Sequence, residues 1–157
     1  MREIHENLRA SILDKLIDNE PEDSSESVYS RMANFRDIEA SVIRDIENLL
    51  NTRRTILMPP ATHNEVTKSL YTYGLRDFTA ENPSSSMVVQ KLRREIAQAI
   101  TLFEPRLKNV VVHIENKAKS RDVRFRIAGT LVIYPISEPV IFDTSFDSNR
   151  GEYLISR

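Results

Sequence analysis

Residues 96–115 read Ile-Ala-Gln-Ala-Ile-Thr-Leu-Phe-Glu-Pro-Arg-Leu-Lys-Asn-Val-Val-Val-His-Ile-Glu, and within them the spacing of apolar residues changes from a helix period to a strand period. Upstream, Val88, Val89, Leu92, Ile96, Ala99, Ile100 and Phe103 recur at the three-and-four spacing that lines one face of an α-helix, with Lys91, Arg93, Arg94 and Glu95 on the polar side. Pro105 lacks an N–H and pushes the residue before it out of the helical region, so the helix ends at Glu104. Downstream, Val110, Val112 and Ile114 alternate with Val111, His113 and Glu115, the period of a half-buried strand.

Outward from that corner the two halves of the chain differ. On the C-terminal side, Val123, Phe125 and Ile127 alternate with Arg124, Arg126 and Ala128, and Gly129 suits a bulge or bend. Leu131, Ile133, Val140 and Phe142 continue in strand style, with Pro135 and Pro139 bounding the turn between. Asp147-Ser-Asn-Arg-Gly151 is a turn cluster, and Tyr153-Leu-Ile155 reads as a last short strand. On the N-terminal side, Ile38, Val42, Ile43, Ile46, Leu49 and Leu50 form one stripe of a helix over residues 36–51. A short helical piece is expected over 64–70, a positive-φ turn at Gly74, and a serine cap within Asn82-Pro-Ser-Ser-Ser86. Helices first and adjacent strands afterwards make the fold class α+β, with N-terminal helices packed on an antiparallel β-meander.

The first thirty residues stand apart. Ile4, Leu8, Ile12, Leu13, Leu16 and Ile17 give an amphipathic helix of about four turns that Asn19-Glu-Pro21 ends, and Glu22-Asp-Ser-Ser-Glu-Ser27 has nothing to bury. This divides the chain into residues 1–30, a tethered helix with an acidic linker, and residues 31–157, the α+β body. Leu8, Ile12, Leu13 and Leu16 are candidate docking residues; packing of the same helix on its own body is the other reading.

Composition narrows the function classes. The 157 residues are 40% hydrophobic and 29% charged, enough for one domain with a real core. A net charge of −1 is too neutral for a protein whose main task is coating nucleic acid or anionic membrane. There is no Cys, which removes disulfides, thiolate nucleophiles and thiolate metal ligands. Neither a signal peptide nor an apolar run of roughly 18 residues is visible, so a soluble cytoplasmic protein without membrane insertion is expected. Charge is uneven: residues 1–30 hold eight acids against three bases, leaving −5, whereas residues 104–126 hold seven bases against three acids, leaving +4. Two such segments either dock on each other or serve different partners.

Catalytic signatures are sparse. His5, His63 and His113 are scattered with no metal-ligand spacing, and Gly74, Gly129 and Gly151 cannot build a phosphate loop. No metal, cofactor or catalytic residue is therefore assigned. Glu104 with Asp143 or Asp147 is the one carboxylate pairing open to a hydrolase reading. Lys117, Lys119, Arg121, Arg124 and Arg126 offer phosphate contacts, but Phe125 is the one aromatic residue among them, and no nucleic-acid partner is expected. In Phe103-Glu-Pro-Arg-Leu107 the rigid proline holds Glu104 and Arg106 on either side of a bend. They either offer a preorganised charged contact to a partner or form an internal salt bridge that staples the corner. The contact reading expects charge swaps at either residue to leave the fold intact.

Ser11-Ile-Leu-Asp-Lys-Leu16, Ser41-Val-Ile-Arg-Asp-Ile46 with Leu49-Leu-Asn-Thr-Arg53, Tyr73-Gly-Leu-Arg-Asp-Phe78, Phe103-Glu-Pro-Arg-Leu107 and Phe142-Asp-Thr144 occur in this order. Together they resemble the TssE family, baseplate wedge subunits of type VI secretion systems related to a phage tail wedge protein once labelled an acidic lysozyme. Arg76 departs from the Pro often found there. The resemblance implies a structural, non-enzymatic part of a contractile injection machine. It implies the baseplate subunits TssF, TssG and TssK, the inner tube protein and the sheath proteins TssB/TssC as partners, and assembly at the inner face of the bacterial inner membrane. It further implies that Glu104, Pro105 and Arg106 serve assembly contacts, and that a sheath strand extends the sheet. The old label would imply a peptidoglycan-hydrolysing enzyme, for which no motif is present.

Overall fold

The computed structural model describes residues 35–60, 62–78, 81, 85–115, 123–133, 136–147 and 152–156. Helix α1 spans Phe35–Asn51, a single turn α2 spans Asn64–Thr67, a 3-10 turn covers Leu70–Thr72, and helix α3 spans Ser86–Phe103. Four strands follow: β1 (Leu107–Glu115), β2 (Val123–Ile133), β3 (Ile136–Asp147) and β4 (Glu152–Ser156). They form one antiparallel sheet in the order β1-β2-β3-β4. The α+β meander expected from the change of period is the observed architecture.

One apolar face of the sheet supports both long helices. Ile38, Val42, Ile46, Leu49 and Leu50 of α1 and Leu92, Ile96, Ala99 and Ile100 of α3 bury against Leu107, Val112, Phe125, Ile127, Leu131, Val140, Phe142 and Tyr153. Alternation does this: strand side chains point to opposite faces, so one apolar set per strand reaches the helices. Among the described residues nothing packs on the other face, and Val111, Ala128 and Ile141 lie in a cross-strand row on it, with Val111 and Ile141 exposed.

Local details follow the residue types. Gly74 has φ +101, and a Cβ there would sit 2.3 Å from the Thr52 carbonyl oxygen. The close approach lets Leu75 N donate to Thr52 O and Arg54 N to Leu75 O, both at 2.8 Å. The bulge expected near Gly129 is present on its neighbour: the register shifts between Lys108 and Val111, and Asn109 adopts φ 54. Leu107 side-chain atoms lie 2.9–3.0 Å from where a Gly129 Cβ would be.

Three expectations need correction. Pro139 does not bound a turn; it lies inside β3 opposite Thr130. β4 pairs only with Asp143–Asp147, so β3 is an edge at Pro139, where a missing N–H is tolerated. Ser85 occupies the N-cap of α3, but its side chain makes no capping bond. The piece expected over 64–70 is a single turn that gives way to a 3-10 turn, where Ser69 Oγ accepts from Tyr71 N. The N-terminal helix with Leu8, Ile12, Leu13 and Leu16, the basic turn 116–122 and the turn 148–151 lie outside the described residues.

Candidate assembly corner

The α3–β1 corner is a clasp that closes on α1. Glu104 caps α3: its N–H donates to Ile100 O at 2.8 Å and its carbonyl accepts from Leu107 N at 3.2 Å. Its side chain is 5% exposed because the Pro105 bend folds it back under the helix end. There it meets the Arg106 guanidinium in a bidentate pair, Nε donating to Oε1 at 2.8 Å and Nη2 to Oε2 at 2.6 Å. The Arg106 backbone N–H adds a bond to Oε1 at 3.1 Å.

The same guanidinium reaches α1. Nη2 donates to Asp45 Oδ2 at 2.6 Å and Nη1 to Ser41 Oγ at 3.2 Å. Asp45 also lies 3.6 Å from Arg44 Nη2. The Arg106 carbonyl accepts from Val132 N of β2 at 2.8 Å, so a single residue ties α1, α3 and the sheet together. The hydrogen bond to Glu104 is the main cause that raises Arg106 above its already high pKa; burial opposes it, and Asp45 adds to the rise. Nearby, Tyr73 packs edge-on against Phe103 with ring centroids 5.2 Å apart. Burial first, then Asp45 and Glu104, raise the Tyr73 pKa.

Of the two readings of the motif, the geometry is that of the internal staple. Glu104 has almost no surface to offer, Arg106 spends its fork on Glu104, Asp45 and Ser41, and exposed Pro105 marks the outside of the bend. A swap such as Glu104→Arg would bury a cation against Arg106, so the expectation of an intact fold gives way. Ser41 and Asp45 lie in the Ser41-Val-Ile-Arg-Asp-Ile46 stretch but carry no site role in the sequence reading, because nothing local marks residues that pair across 65 and 61 positions.

Glu104 and Asp143, one pairing weighed for hydrolysis, do not converge. Glu104 is clasped beneath α3, whereas Asp143 is on the uncovered sheet face, bonded to Arg126 Nε at 2.9 Å. The Asp147 side chain lies outside the described residues. Among the described residues no group of three or more His, Cys, Asp or Glu is placed to hold a metal ion. No helix among them is long and apolar enough to cross a membrane.

A second feature is the sheet edge. β1 is a nine-residue outer strand paired on one side with β2, and no backbone bond from another element reaches its far side among the described residues. The opposite border is interrupted, because β4 has five residues and the uncovered part of β3 contains Pro139.

Comparison with known proteins agrees with this architecture. Residues 36–135 match the family described as baseplate wedge protein gp25, a span that holds α1, α3, the corner and the first two strands. A solved chain from "The baseplate complex from the type VI secretion system" has a similar fold, with TM-score 0.51 and 16% identity over 70% of this chain and 94% of that one. No curated protein matches.

Proposed function

Because the chain belongs to the baseplate wedge protein gp25 family, a structural baseplate family, we propose that it is the TssE-type wedge subunit of a type VI secretion system. In this reading it joins TssF, TssG and TssK around the inner tube, at the cytoplasmic side of the bacterial inner membrane. It catalyses no reaction. Its task is to present a sheet edge on which the first TssB/TssC sheath subunits pair.

The observation that carries this reading is the outer side of β1, which pairs with no other element among the described residues. Beyond the bulge at Asn109, Val110–Glu115 is extended backbone whose outward N–H and C=O groups meet no other element among the described residues, a template for an added strand. The opposite border carries a proline and a five-residue strand, both poor for long pairing. The Glu104–Arg106 clasp supports the role indirectly: it fixes the point where β1 leaves α3, and hence the orientation of that edge. The apolar stripe with Leu8, Ile12, Leu13 and Leu16 attaches the subunit to another wedge protein.

Hydrogen exchange of the full chain with and without TssB/TssC tests this. Protection of amides within Leu107–Glu115 on adding sheath protein is the expected result. Protection confined to β3 and β4 would refute the choice of edge, and no protection anywhere would refute sheath templating.

A further inference from the structure

The side of α3 that faces solvent carries a row that is basic along its middle and apolar where it ends. Met87, Lys91, Arg94, Gln98 and Leu102 follow one another at three- and four-residue steps, so they line up along the helix, and all five are exposed. Lys91 and Arg94 have no acidic partner among the described residues. The one acid of this helix, Glu95, is directed to Arg54 and Arg76, at 3.6 and 3.8 Å. Like charges a helical turn apart repel, so the pair gains from an anion laid across it.

At its C-terminal end the row opens on a cleft. Gln98 and Leu102 face Met58 and Thr72 across a cavity of about 140 Å³. Beside it the chain runs Ile56-Leu57-Met58 before Pro59-Pro60, with Ile56 97% and Leu57 75% exposed. Leu70 and Tyr71 are exposed as well, in the 3-10 turn that ends at Thr72. Single apolar residues on a surface are ordinary; three in succession, next to further exposed Leu and Tyr side chains, mark a surface that a partner covers.

The two parts together specify the occupant. Whatever seals Ile56, Leu57 and Leu102 must be apolar. Whatever lies on Arg94 and Lys91 must be anionic, and at 1.5 Å per residue these stand about 12 and 16 Å back along α3 from Leu102. One amphipathic helix whose apolar and acidic residues are two to three turns apart satisfies both demands. A second copy does not, because a two-fold contact of this row with itself sets its cations against cations or against the apolar end.

We propose that the exposed row of α3 and the Ile56–Met58 loop form a docking surface for an acidic amphipathic helix of another protein. The helix places apolar side chains over the cleft and carboxylates on Lys91 and Arg94. The surface includes no residue of β1, so it stands or falls independently of strand pairing there.

Photo-cross-linking of the full chain in its native cells tests this. Benzoylphenylalanine replaces Gln98 in one variant and Leu102 in another, and the linked peptide is sequenced by mass spectrometry. The expected product is a segment of a different protein that combines Asp or Glu with apolar residues at helical spacing. Lys91→Glu with Arg94→Glu should cut the yield about tenfold, and so should Ile56→Ser with Leu57→Ser. Because these side chains are exposed, the melting temperature of the purified chain should stay within about 2 °C for either pair. A link to a second copy, to residues 1–30 of the same chain, or to a segment without acids would overturn the proposal. A yield that survives both pairs of substitutions, or no link from either position, would overturn it equally.

Discussion

Replacing Arg106 by Ala removes one side chain that bonds Glu104 twice, Asp45 once and Ser41 once. What remains is a Glu104 side chain that is 5% exposed and keeps only the Arg106 backbone N–H. Removing one partner of a buried pair costs about 3–5 kcal/mol, and the quarter-exposed guanidinium places this case near 3. At roughly 2–4 °C per kcal/mol for a chain of this size, the melting temperature should fall by about 6–12 °C. Arg106→Lys keeps the charge but not the fork, and should lose roughly half of that. The double variant Glu104→Leu with Arg106→Met replaces the pair by apolar side chains and should sit within about 1 kcal/mol of the natural protein. Urea denaturation followed by circular dichroism reads all three. An Arg106→Ala loss below about 0.5 kcal/mol, the range of an ordinary surface substitution, would refute the clasp as the tie between α1, α3 and the sheet.

Asn51 bonds the backbone of Tyr153 twice, donating from Nδ2 to O at 2.9 Å and accepting from N at 2.7 Å; Asn51→Ala should cost about 1–3 kcal/mol and speed amide exchange in β4. Gly74→Ala would strain a positive φ and collide with Thr52 O, so a loss of about 2 kcal/mol or more is expected in the same urea assay. Tyr153 has its pKa raised, by burial first and then by Glu95, and Tyr73 is raised too. A tyrosine that ionises less readily folded than unfolded stabilises the fold below its ordinary value near 10 and loses that contribution as pH rises above it. Stability should therefore decline above about pH 10, and Tyr153→Phe should flatten the decline in melts taken between pH 8 and 11.

The fold was legible because its signal is local. A helix stripe, a proline and a run of alternating strands each declare themselves within a dozen residues, and the meander joins neighbours in sequence. The site was legible only in outline. Phe103-Glu-Pro-Arg-Leu107 marks a rigid corner, but whether Arg106 faces a partner or folds inward depends on Ser41 and Asp45, which sit on another helix. Asn51 is similarly silent, since its partner is 102 residues away. Pro139 misled because proline reads as a turn unless one knows that β4 stops short of it. Ser85 misled because a favoured residue at the cap position does not oblige its hydroxyl to bond.

Affinity purification of the tagged full chain from native lysate tests the central claim most directly. The account predicts that TssF, TssG and TssK co-purify with it, and that removing residues 1–30 weakens their recovery. Recovery of no baseplate subunit by either form, together with clearing of purified cell wall that a single Glu or Asp substitution abolishes, would contradict it.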